Sequence, residues 1–327
     1  MSKKIVITGG CGFIGAHFVE HFLKNTDYDI VIFDKLTYAS SGLDRIKDIN
    51  VFDDKRVFFY SVDISSPISE GIIKETKDAN YISHLAANSH VDRSIEDPIS
   101  FIKSNVLGTG YMLEYARQLK NLEAFHYMGT DESNGPAPFG VSYKEWDRYD
   151  STNPYSATKS GGEELCLAYA NTYKLPIFIT KTMNVYGEKQ DKEKFIPLVI
   201  NKVLNDDTLT IHSDPTKTIS GTRHWIHARN VADAILFLYK NFKQRDKYNI
   251  VGEEISNLEL AKMIASIIGK ELKYEMVDFH SSRPGHDLRY SLDGTKMKQM
   301  GWEPPKDVYE SLKKVINWTL ENPKWLK

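Results

Sequence analysis

Short apolar runs alternate with stretches of helical spacing through the first half of the chain. Residues 4–8 and 29–34 form nearly continuous apolar runs, which are typical of strands buried on both faces. Between them, residues 16–24 place apolar side chains three or four positions apart, which predicts a helix. The same patterns predict further strands at 56–60, 81–87, 124–128 and 176–180, and further helices at 67–77, 98–119 and from Pro154 onward. This alternation predicts an α/β fold with a parallel sheet covered by helices on both faces.

Beyond about residue 184 the strands become shorter and the regular alternation ends. Helices are predicted at 195–205, 231–241, 258–268 and 308–320, and strands at 209–212, 223–227, 248–251 and 272–277. We therefore predict two domains. Residues 1–183 form the first, and residues 184–327 form a smaller mixed α/β lobe, from which segments can return to the first sheet.

A glycine-rich turn joins the first strand to the first helix. It reads Gly9-Gly-Cys-Gly12-Phe-Ile-Gly15. Glycines let the backbone approach a pyrophosphate, and the helix N-terminus adds N–H donors. Asp34 lies 19 residues past Gly15, at the end of the second predicted strand, where a carboxylate can bind the ribose hydroxyls. The first domain is therefore predicted to be a Rossmann-type, doubly wound domain that binds NAD rather than NADP.

The helix that follows Asn153 carries a candidate base. Asn153 and Pro154 are typical of an N-cap and of the first helical position. Tyr155 and Lys159 lie four residues apart and therefore share one helix face. A nearby ammonium favours the ionised phenol, so we expect Lys159 to lower the pKa of Tyr155 and to let it act as a base.

Two adjacent acids directly follow a predicted strand. Thr130, Asp131 and Glu132 come after the apolar residues 124–128. If both carboxyl groups face one pocket, each opposes ionisation of the other, and one stays protonated. The pair would then supply an acid and a base to one site. The alternative interpretation is a solvated loop tip, as for most adjacent acids.

Composition narrows the possible partners and surroundings. The formal net charge of −2 gives no general attraction for nucleic acid or for an anionic membrane. No apolar run approaches the roughly 20 residues that span a bilayer. Two cysteines cannot build a disulfide framework, so we expect a cytoplasmic protein. His17 and His21 have helical spacing, but no further ligand completes a metal site, and we predict none.

Further motifs extend these observations along the chain. They are Leu85-Ala-Ala-Asn-Ser-His90, Asn105-Val-Leu-Gly-Thr109, Asn153-Pro-Tyr-Ser-Ala-Thr-Lys159, Asn184-Val-Tyr-Gly187 and Arg283-Pro-Gly-His-Asp-Leu-Arg-Tyr290. Together with the glycine turn and Thr130-Asp131-Glu132, they resemble the extended short-chain dehydrogenase/reductase family, and within it the nucleotide-sugar 4,6-dehydratases. The glycine turn and the Tyr-Lys pair mark the large family, whereas the acid pair is specific to the dehydratases.

The resemblance implies an activity and a role for each catalytic residue. The activity is that of a lyase, an NAD-dependent nucleoside-diphosphate-hexose 4,6-dehydratase, which converts a dTDP- or UDP-glucose-like substrate to a 4-keto-6-deoxy sugar and water. Tyr155 removes the O4 proton, Lys159 holds the cofactor ribose, and Thr130 hydrogen-bonds O4. Glu132 then abstracts the C5 proton, Asp131 protonates the departing C6 hydroxyl, and NAD is recycled internally.

The resemblance also implies the binding residues and the assembly. Cofactor-binding positions are Gly9, Gly12, Phe13, Ile14, Gly15, Asp34, Lys35, Thr37, Asp63, Ile64, Leu85, Ala86, Ala87, Tyr155 and Lys159. Substrate-binding positions are Ser89, His90, Asn105, Asn184, Lys194, Arg223, Arg283 and Tyr290. A homodimer is implied, with a four-helix interface built by the helices that contain Tyr111 and Tyr155.

Several positions depart from the family's usual pattern. Gly129 replaces a serine before the acid pair, and Ser133-Asn134 follows it where valine and an aromatic residue are common. Lys181 replaces an arginine, and residues 188–193 lack the usual prolines. These departures leave the identity of the substrate sugar undetermined. Two alternative functions also remain. One is a nucleotide-sugar epimerase of the same fold, and the other is a catalytically silent NAD-binding regulator.

Overall fold

The computed structural model describes residues 2–278 and 288–327. Its strands are β1 Lys4–Thr8, β2 Asp29–Asp34, β3 Val57–Ser61, β4 Tyr81–His84, β5 Ala124–Thr130, β6 Ile177–Thr182, β7 Asn184–Tyr186, β8 Leu209–Ser213, β9 Thr222–His227, β10 Asp246–Ile250, β11 Glu253–Ser256 and β12 Tyr274–Asp278. Seven of them form one sheet in the order β10-β6-β5-β4-β1-β2-β3. Every neighbouring pair in it is parallel.

Helices connect these strands. They are α1 Phe13–Asn25, α2 Asp44–Asp48, α3 Glu70–Thr76, α4 Val91–Glu96, α5 Pro98–Phe101, α6 Gly108–Ala116, α7 Pro154–Thr172, α8 Phe195–Leu204, α9 Ala228–Asn241, α10 Asn257–Ile268, α11 Thr295–Gln299 and α12 Val308–Glu321. None of the helices within residues 2–278 and 288–327 has the length and apolar character to cross a bilayer.

The sheet is covered on both faces, as the apolar runs predict. Alternate residues of one strand point to opposite faces. Ile5 and Ile7 of β1 therefore pack with α1 and α9, whereas Val6 packs with α6 and α7 on the other side. All three residues are fully buried. The predicted Rossmann-type, doubly wound sheet is confirmed.

The smaller lobe has its own core. Strands β11, β9 and β7 form a mixed sheet, and β12 pairs with β8. Helices α8, α10 and α12 bury apolar faces over these strands, with Val199, Ile264 and Ile316 among the fully buried residues. This is the predicted mixed α/β lobe.

The chain does not divide into two continuous segments. Strand β10 lies in the C-terminal half of the chain and pairs with β6 at the edge of the large sheet. Helix α9, just before it, packs on the same sheet, and its Tyr239 hydroxyl donates to the Ile82 carbonyl oxygen (3.0 Å). The boundary between residues 183 and 184 therefore stays a prediction, with part of the second half built into the first sheet.

Two predicted elements differ from those observed. The helix predicted at 98–119 is α5, a π-helical segment Ile102–Leu107 and α6 in succession. The strand predicted at 81–87 ends at His84. There the Thr8 hydroxyl accepts from the backbone N–H groups of Leu85 and Ala86, which takes the chain out of the sheet. Both differences place side chains at the carboxyl end of the sheet, where ligands bind in this fold.

Candidate active site

One cavity of about 400 Å³ opens at the carboxyl ends of β1, β2, β4 and β5. In a doubly wound sheet this is where the strand order reverses, between β1 and β4, and where ligands bind. The predicted site residues that line it are Gly9, Gly12, Phe13, Ile14, Gly15, Asp34, Lys35, Thr37, Ile64, Leu85, Ala86, Ala87, Ser89, His90, Thr130, Asp131, Glu132, Tyr155, Lys159, Asn184 and Lys194. The fold therefore brings predicted catalytic, cofactor-binding and substrate-binding residues together in one cavity.

The glycine turn has the shape of a phosphate cradle. Gly9 has a φ of +71°, and a Cβ atom on Gly15 would lie 2.1 Å from the Gly9 carbonyl oxygen. Side chains are therefore excluded there for steric reasons. Gly12 is the N-cap of α1 and offers no side chain to cap the first N–H groups. Those groups remain available to an anion, and the helix dipole favours it. The turn fits the pyrophosphate of a dinucleotide.

Asp34 closes β2 with its carboxylate fixed by the backbone. Its Oδ2 accepts from the Cys11 N–H (3.0 Å), and its Oδ1 accepts from the Leu36 N–H (2.8 Å). Burial raises the pKa of Asp34, while these two hydrogen bonds act in the opposite direction. Each oxygen keeps a second lone pair, so the carboxylate can still accept two hydroxyl groups. Asp34 fits the predicted ribose site.

Asp63 does not line the cavity. Its carboxylate accepts from the Ser65 N–H (2.9 Å) in the turn after β3 and pairs with Lys35, which follows β2, with Nζ and Oδ1 3.3 Å apart. Ile64, the next residue, and Lys35 both line the cavity. A contact between Asp63 and the cofactor therefore stays a prediction.

The acid pair lies at the end of β5, where Asp131 is buried and Glu132 is half-buried. The Thr130 hydroxyl donates to Asp131 Oδ1 (3.1 Å) and accepts from the Glu132 N–H (3.4 Å). Burial raises the pKa of Asp131 to about 6. Burial first, and then the neighbouring Asp131, raises the pKa of Glu132 to about 7. Both carboxyl groups can therefore gain or lose a proton near neutral pH, as a coupled pair, and a solvated loop tip is excluded.

Helix α7 begins next to the acid pair. The Asn153 Oδ1 accepts from the Ser156 N–H (2.8 Å), and the Ser156 hydroxyl accepts from the Asn153 N–H (3.4 Å). These two bonds form a reciprocal capping box. The Asn153 Nδ2 also donates to Glu132 Oε2 (3.0 Å). The sequence identified Asn153 as an N-cap, but nothing in it indicated the contact with Glu132.

The pKa of Tyr155 is shifted in the direction opposite to our expectation. Burial and then the Glu132 carboxylate raise it, and a hydrogen bond with Thr130 opposes them. The Lys159 ammonium lies over the Tyr127 ring, 4.4 Å from its centroid, and burial lowers the pKa of Lys159 to about 8. The spacing of Tyr155 and Lys159 is as predicted, but their burial outweighs the expected effect of the lysine.

Arg223 and Tyr290 lie behind the acid pair and do not line the cavity. The Arg223 guanidinium stacks on the Tyr290 ring at 4.9 Å and donates to the carbonyl oxygens of Thr222 (2.7 Å) and Leu288 (2.8 Å). Its charge lowers the pKa of both Asp131 and Glu132. Arg223 therefore affects the acid pair as well as any anionic ligand. Arg283, the remaining predicted cation, lies outside the described residues.

Asn105 also lies outside the cavity lining. Its Oδ1 accepts from the Asn88 N–H (2.8 Å), and its Nδ2 donates to the Asn88 carbonyl oxygen (3.0 Å) and to Thr158 Oγ1 (2.9 Å). These three bonds use both N–H donors and one lone pair of the amide oxygen. Asn105 therefore holds the cavity-lining segment 88–90 against α7, and its contact with a substrate stays a prediction.

Arg45 is a cavity residue that sequence reasoning missed. It is 1% exposed, and it donates to the carbonyl oxygens of Lys189 (2.9 Å) and Ala39 (2.8 Å). Within the described part of the chain, its second terminal nitrogen has no hydrogen-bond partner. The sequence gives no signal that Arg45, on the short helix α2, lines the cavity, because its partner Lys189 is 144 positions away.

Proteins of known activity resemble this chain along nearly its whole length. Residues 6–315 match the protein family described as GDP-mannose 4,6 dehydratase. The dTDP-glucose 4,6-dehydratase 1 of Escherichia coli (strain K12) is 35% identical, and the alignment covers 99% of this chain and 94% of that protein. The chain belongs to the GDP-mannose 4,6 dehydratase family.

Solved structures of similar proteins agree with the family. A dTDP-glucose 4,6-dehydratase from Streptomyces venezuelae, solved with NAD bound, is 31% identical with a TM-score of 0.88, and 99% of each chain is covered. A UDP-glucuronic acid 4-epimerase from Bacillus cereus is 26% identical with a TM-score of 0.86, covering 98% of this chain and 99% of that one. The same fold therefore serves dehydratases and epimerases.

Three departures from the dehydratase pattern meet at one buried carboxylate, that of Glu163 on α7. A Cβ atom on Gly129 would lie 2.4 Å from Glu163 Oε1. The Ser133 hydroxyl donates to Oε1 (3.4 Å), and Lys181 Nζ lies 4.0 Å from Oε2. Glu163 and Lys181 are both fully buried. These departures therefore form one structural unit behind the acid pair.

The Glu163 carboxylate has two further partners. The Tyr149 hydroxyl donates to its Oε2 (2.7 Å), and Lys247 Nζ lies 3.7 Å from the same oxygen. Lys247 also hydrogen-bonds to the Tyr149 hydroxyl. Burial lowers the pKa of Lys247, and Glu163 opposes that shift. The network therefore surrounds the buried Glu163 carboxylate with two lysines, the Tyr149 phenol and the Ser133 hydroxyl.

Proposed function

We propose that this chain is an NAD-dependent nucleoside-diphosphate-hexose 4,6-dehydratase, acting on a dTDP- or UDP-glucose-like substrate. The observation that carries the proposal is the enclosed Asp131-Glu132 pair, which lines the same cavity as Tyr155 and the glycine turn. Oxidation at C4 needs a base and a hydride acceptor. Elimination of water needs, in addition, a second base and an acid, and the pair provides both.

The cavity fits NAD. The glycine cradle and the first N–H groups of α1 suit the pyrophosphate, and Asp34 suits the adenosine ribose. An acid at that position disfavours a 2′-phosphate. Lys159 and Tyr155 also line the cavity, and Tyr155 is hydrogen-bonded to Thr130 beside the acid pair. When bound, NAD supplies the hydride acceptor for the sugar C4 and then the hydride donor for C6.

The first stage relies on Tyr155, Thr130 and Lys159. Tyr155 takes the proton from the sugar O4 as the hydride leaves C4, so C4 becomes a ketone. Thr130, which is hydrogen-bonded to Tyr155, positions the O4 atom. Lys159, one helical turn away, supplies a positive charge that favours the phenolate, whereas burial and the Glu132 carboxylate raise the pKa of Tyr155. General-base catalysis of this kind contributes about 10²–10⁴ to the rate.

The second stage relies on the acid pair. The new ketone acidifies the C5 proton, and the Glu132 carboxylate removes it. The C6 hydroxyl leaves as water with the proton that Asp131 donates. Burial of both groups raises their pKa values toward neutrality, so each carboxyl group can gain or lose a proton near neutral pH. Hydride at C6 and a proton at C5 complete the 4-keto-6-deoxy sugar.

Cationic and amide side chains suit the diphosphate end of the substrate. Lys194 is the N-cap of α8, and Asn184 begins β7, where both line the cavity next to the acid pair. Arg223 adds positive charge behind it. A nucleoside diphosphate is strongly anionic, and lysine and arginine are its usual protein partners.

An epimerase of the same fold is the second candidate, because the Bacillus cereus epimerase is so similar in structure. Epimerisation needs the C4 oxidation but not the C5 and C6 chemistry. Glu132→Gln separates the two functions. In a dehydratase the variant should still form NADH and a 4-keto hexose that keeps its 6-hydroxyl, whereas an epimerase should turn over at nearly the parent rate.

The experiment combines that variant with solvent deuterium. Parent protein, NAD and a dTDP- or UDP-hexose are incubated in deuterium oxide, and the product is read by mass spectrometry and by its absorbance in alkali. We expect solvent deuterium at C5 and a hydrogen transferred from C4 at C6. Parent-rate turnover of Glu132→Gln, or a product without deuterium at C5, would refute the dehydratase.

Two further proposals concern the assembly and location. A homodimer is supported by exposed apolar side chains beside α6 and α7, of which Ile99 is 56% and Leu107 45% exposed. Sedimentation of the protein and of Leu107→Glu tests it, with a monomeric parent as the contrary result. A cytoplasmic location is supported by the buried, unpaired Cys11 and Cys166. Cell fractionation tests that location.

A further inference from the structure

Asn153 connects the start of α7 to the acid pair through a single amide group. Its carbonyl oxygen caps the helix, and its Nδ2 donates to Glu132 Oε2 at 3.0 Å. We propose that Asn153 is a positioning residue, which holds the Glu132 carboxylate aligned and ionised for removal of the C5 proton. This inference rests on the proposed dehydratase function and adds a residue to it.

The orientation of the amide is fixed by the helix. The Asn153 Oδ1 must face the Ser156 N–H, because that bond (2.8 Å) caps the first turn. The return bond from the Asn153 N–H to the Ser156 hydroxyl (3.4 Å) fixes the backbone as well. Asn153 is only 5% exposed, so the side chain has little freedom to turn. The Nδ2 group is therefore directed at Glu132 by the capping geometry itself.

Several residue types cap helices equally well, so capping alone does not explain an asparagine at position 153. Asn, Asp and Ser are about equivalent N-caps, since each presents an oxygen to the backbone. Only Asn combines that oxygen with a separate NH₂ donor on the same rigid group. Capping alone would therefore be served by Ser or Asp, whereas capping together with a fixed donor toward Glu132 requires Asn.

Several charged groups also act on Glu132. Asp131, adjacent in the chain, opposes its ionisation, while Arg223 on β9 and Lys194 before α8 favour it. The Tyr155 phenol on α7 interacts with the same carboxylate. Arg223 and Lys194 favour ionisation through their charge, whereas the Asn153 hydrogen bond favours it and also directs the carboxylate. Loss of that bond should therefore raise the pKa of Glu132 and also misalign it.

The test uses two variants and a matched control. Asn153→Ser keeps a capping oxygen and removes the NH₂ donor, and Asn153→Asp replaces that donor by a second carboxylate facing Glu132. Ser156→Ala removes the reciprocal capping bond and leaves the Asn153 contact with Glu132 in place. Each purified protein is mixed with NAD and a dTDP- or UDP-hexose across pH 5.5–9. NADH formation and deuterium incorporation at C5 are recorded separately.

The proposal predicts that the two steps separate. In Asn153→Ser, NADH should form at close to the parent rate, while C5 exchange near neutral pH should fall about ten- to a hundredfold, as for loss of a hydrogen bond to a charged group. The pH profile of C5 exchange should move to higher pH, so that the defect shrinks as the pH rises. Asn153→Asp should move it further in the same direction. Ser156→Ala should leave the profile unchanged.

The outcomes distinguish a failure of the Asn153 proposal from a failure of the proposed dehydratase function. Parent-like C5 exchange in Asn153→Ser, while Glu132→Gln stalls, would overturn the role of Asn153 and leave the dehydratase intact. A uniform loss of both NADH formation and C5 exchange, shared by Ser156→Ala, would reduce Asn153 to a helix cap and also overturn the role. Parent-rate turnover in Glu132→Gln would refute the dehydratase function itself.

Discussion

A methyl group at position 129 should disturb the protein far more than its size suggests. Gly129 pairs with Lys181 between β5 and β6, and its added Cβ would lie 2.4 Å from Glu163 Oε1 and 3.0 Å from the Thr180 carbonyl oxygen. The Thr180 oxygen belongs to the sheet backbone and cannot move away. The Glu163 carboxylate would have to move instead, and its bond from the Tyr149 hydroxyl (2.7 Å) would be lost.

The expected loss of stability follows from these two contacts. Overpacking of a well-packed core costs about 1–3 kcal/mol, and a lost hydrogen bond to a charged group costs about 1.5–3 kcal/mol. We therefore expect Gly129→Ala to lower the free energy of unfolding by roughly 2.5–6 kcal/mol. Since each kcal/mol shifts the midpoint of a large domain by about 2–4 °C, the melting temperature should fall by roughly 5–24 °C.

Thermal and urea unfolding followed by circular dichroism measure this loss. Gly71→Ala is the matched control, because a Cβ there meets no atom within 4 Å in α3, and helix propensity should make it stabilising by about 1 kcal/mol. Glu163→Asp shortens the opposing side chain, so its combination with Gly129→Ala should lose less than the sum of the two single variants. A Gly129→Ala protein as stable as the parent, or strict additivity, would refute the steric argument.

Two further predictions address the cofactor and the first base. Asp34→Ser removes the ribose carboxylate, so NAD binding should weaken and rejection of NADP should relax, as measured by titration calorimetry with both nucleotides; an unchanged preference would contradict the ribose assignment of Asp34. Tyr155→Phe keeps the ring and removes the titratable oxygen, so turnover should fall about 10²–10⁴-fold and no NADH should accumulate in a stopped-flow trace. Near-parent turnover in Tyr155→Phe would exclude its role as the base.

Local patterns were enough to predict the fold. The apolar runs 4–8 and 29–34 predicted β1 and β2, and the glycine turn between strand and helix identified the cofactor end of the sheet. Periodicity is a property of neighbouring residues, so the sequence displays it directly. The acid pair could also be predicted, because it directly follows a strand and therefore lies at the carboxyl end of β5.

Features that depend on residues far apart in the sequence could not be predicted. Asn105 stood in a motif and was expected at the substrate, but nothing in the motif indicated that its amide bonds to Asn88 from the π-helical segment Ile102–Leu107. Tyr155 was expected to have a lowered pKa from its spacing to Lys159, but burial and the Glu132 carboxylate raise it instead. In both cases the deciding contact is tertiary, and no spacing along the chain encodes it.

The position of β10 at the sheet edge bears on the order in which the chain can fold during synthesis. Until residue 250 has left the ribosome, β6 is an unpaired edge strand, and Tyr239 is not yet available to bond the Ile82 carbonyl oxygen. Unpaired edges of that kind invite association with other nascent chains. The cofactor-binding sheet can therefore be completed only late in synthesis, after β10 has emerged, and a fragment that stops at residue 183 should aggregate rather than bind nucleotide.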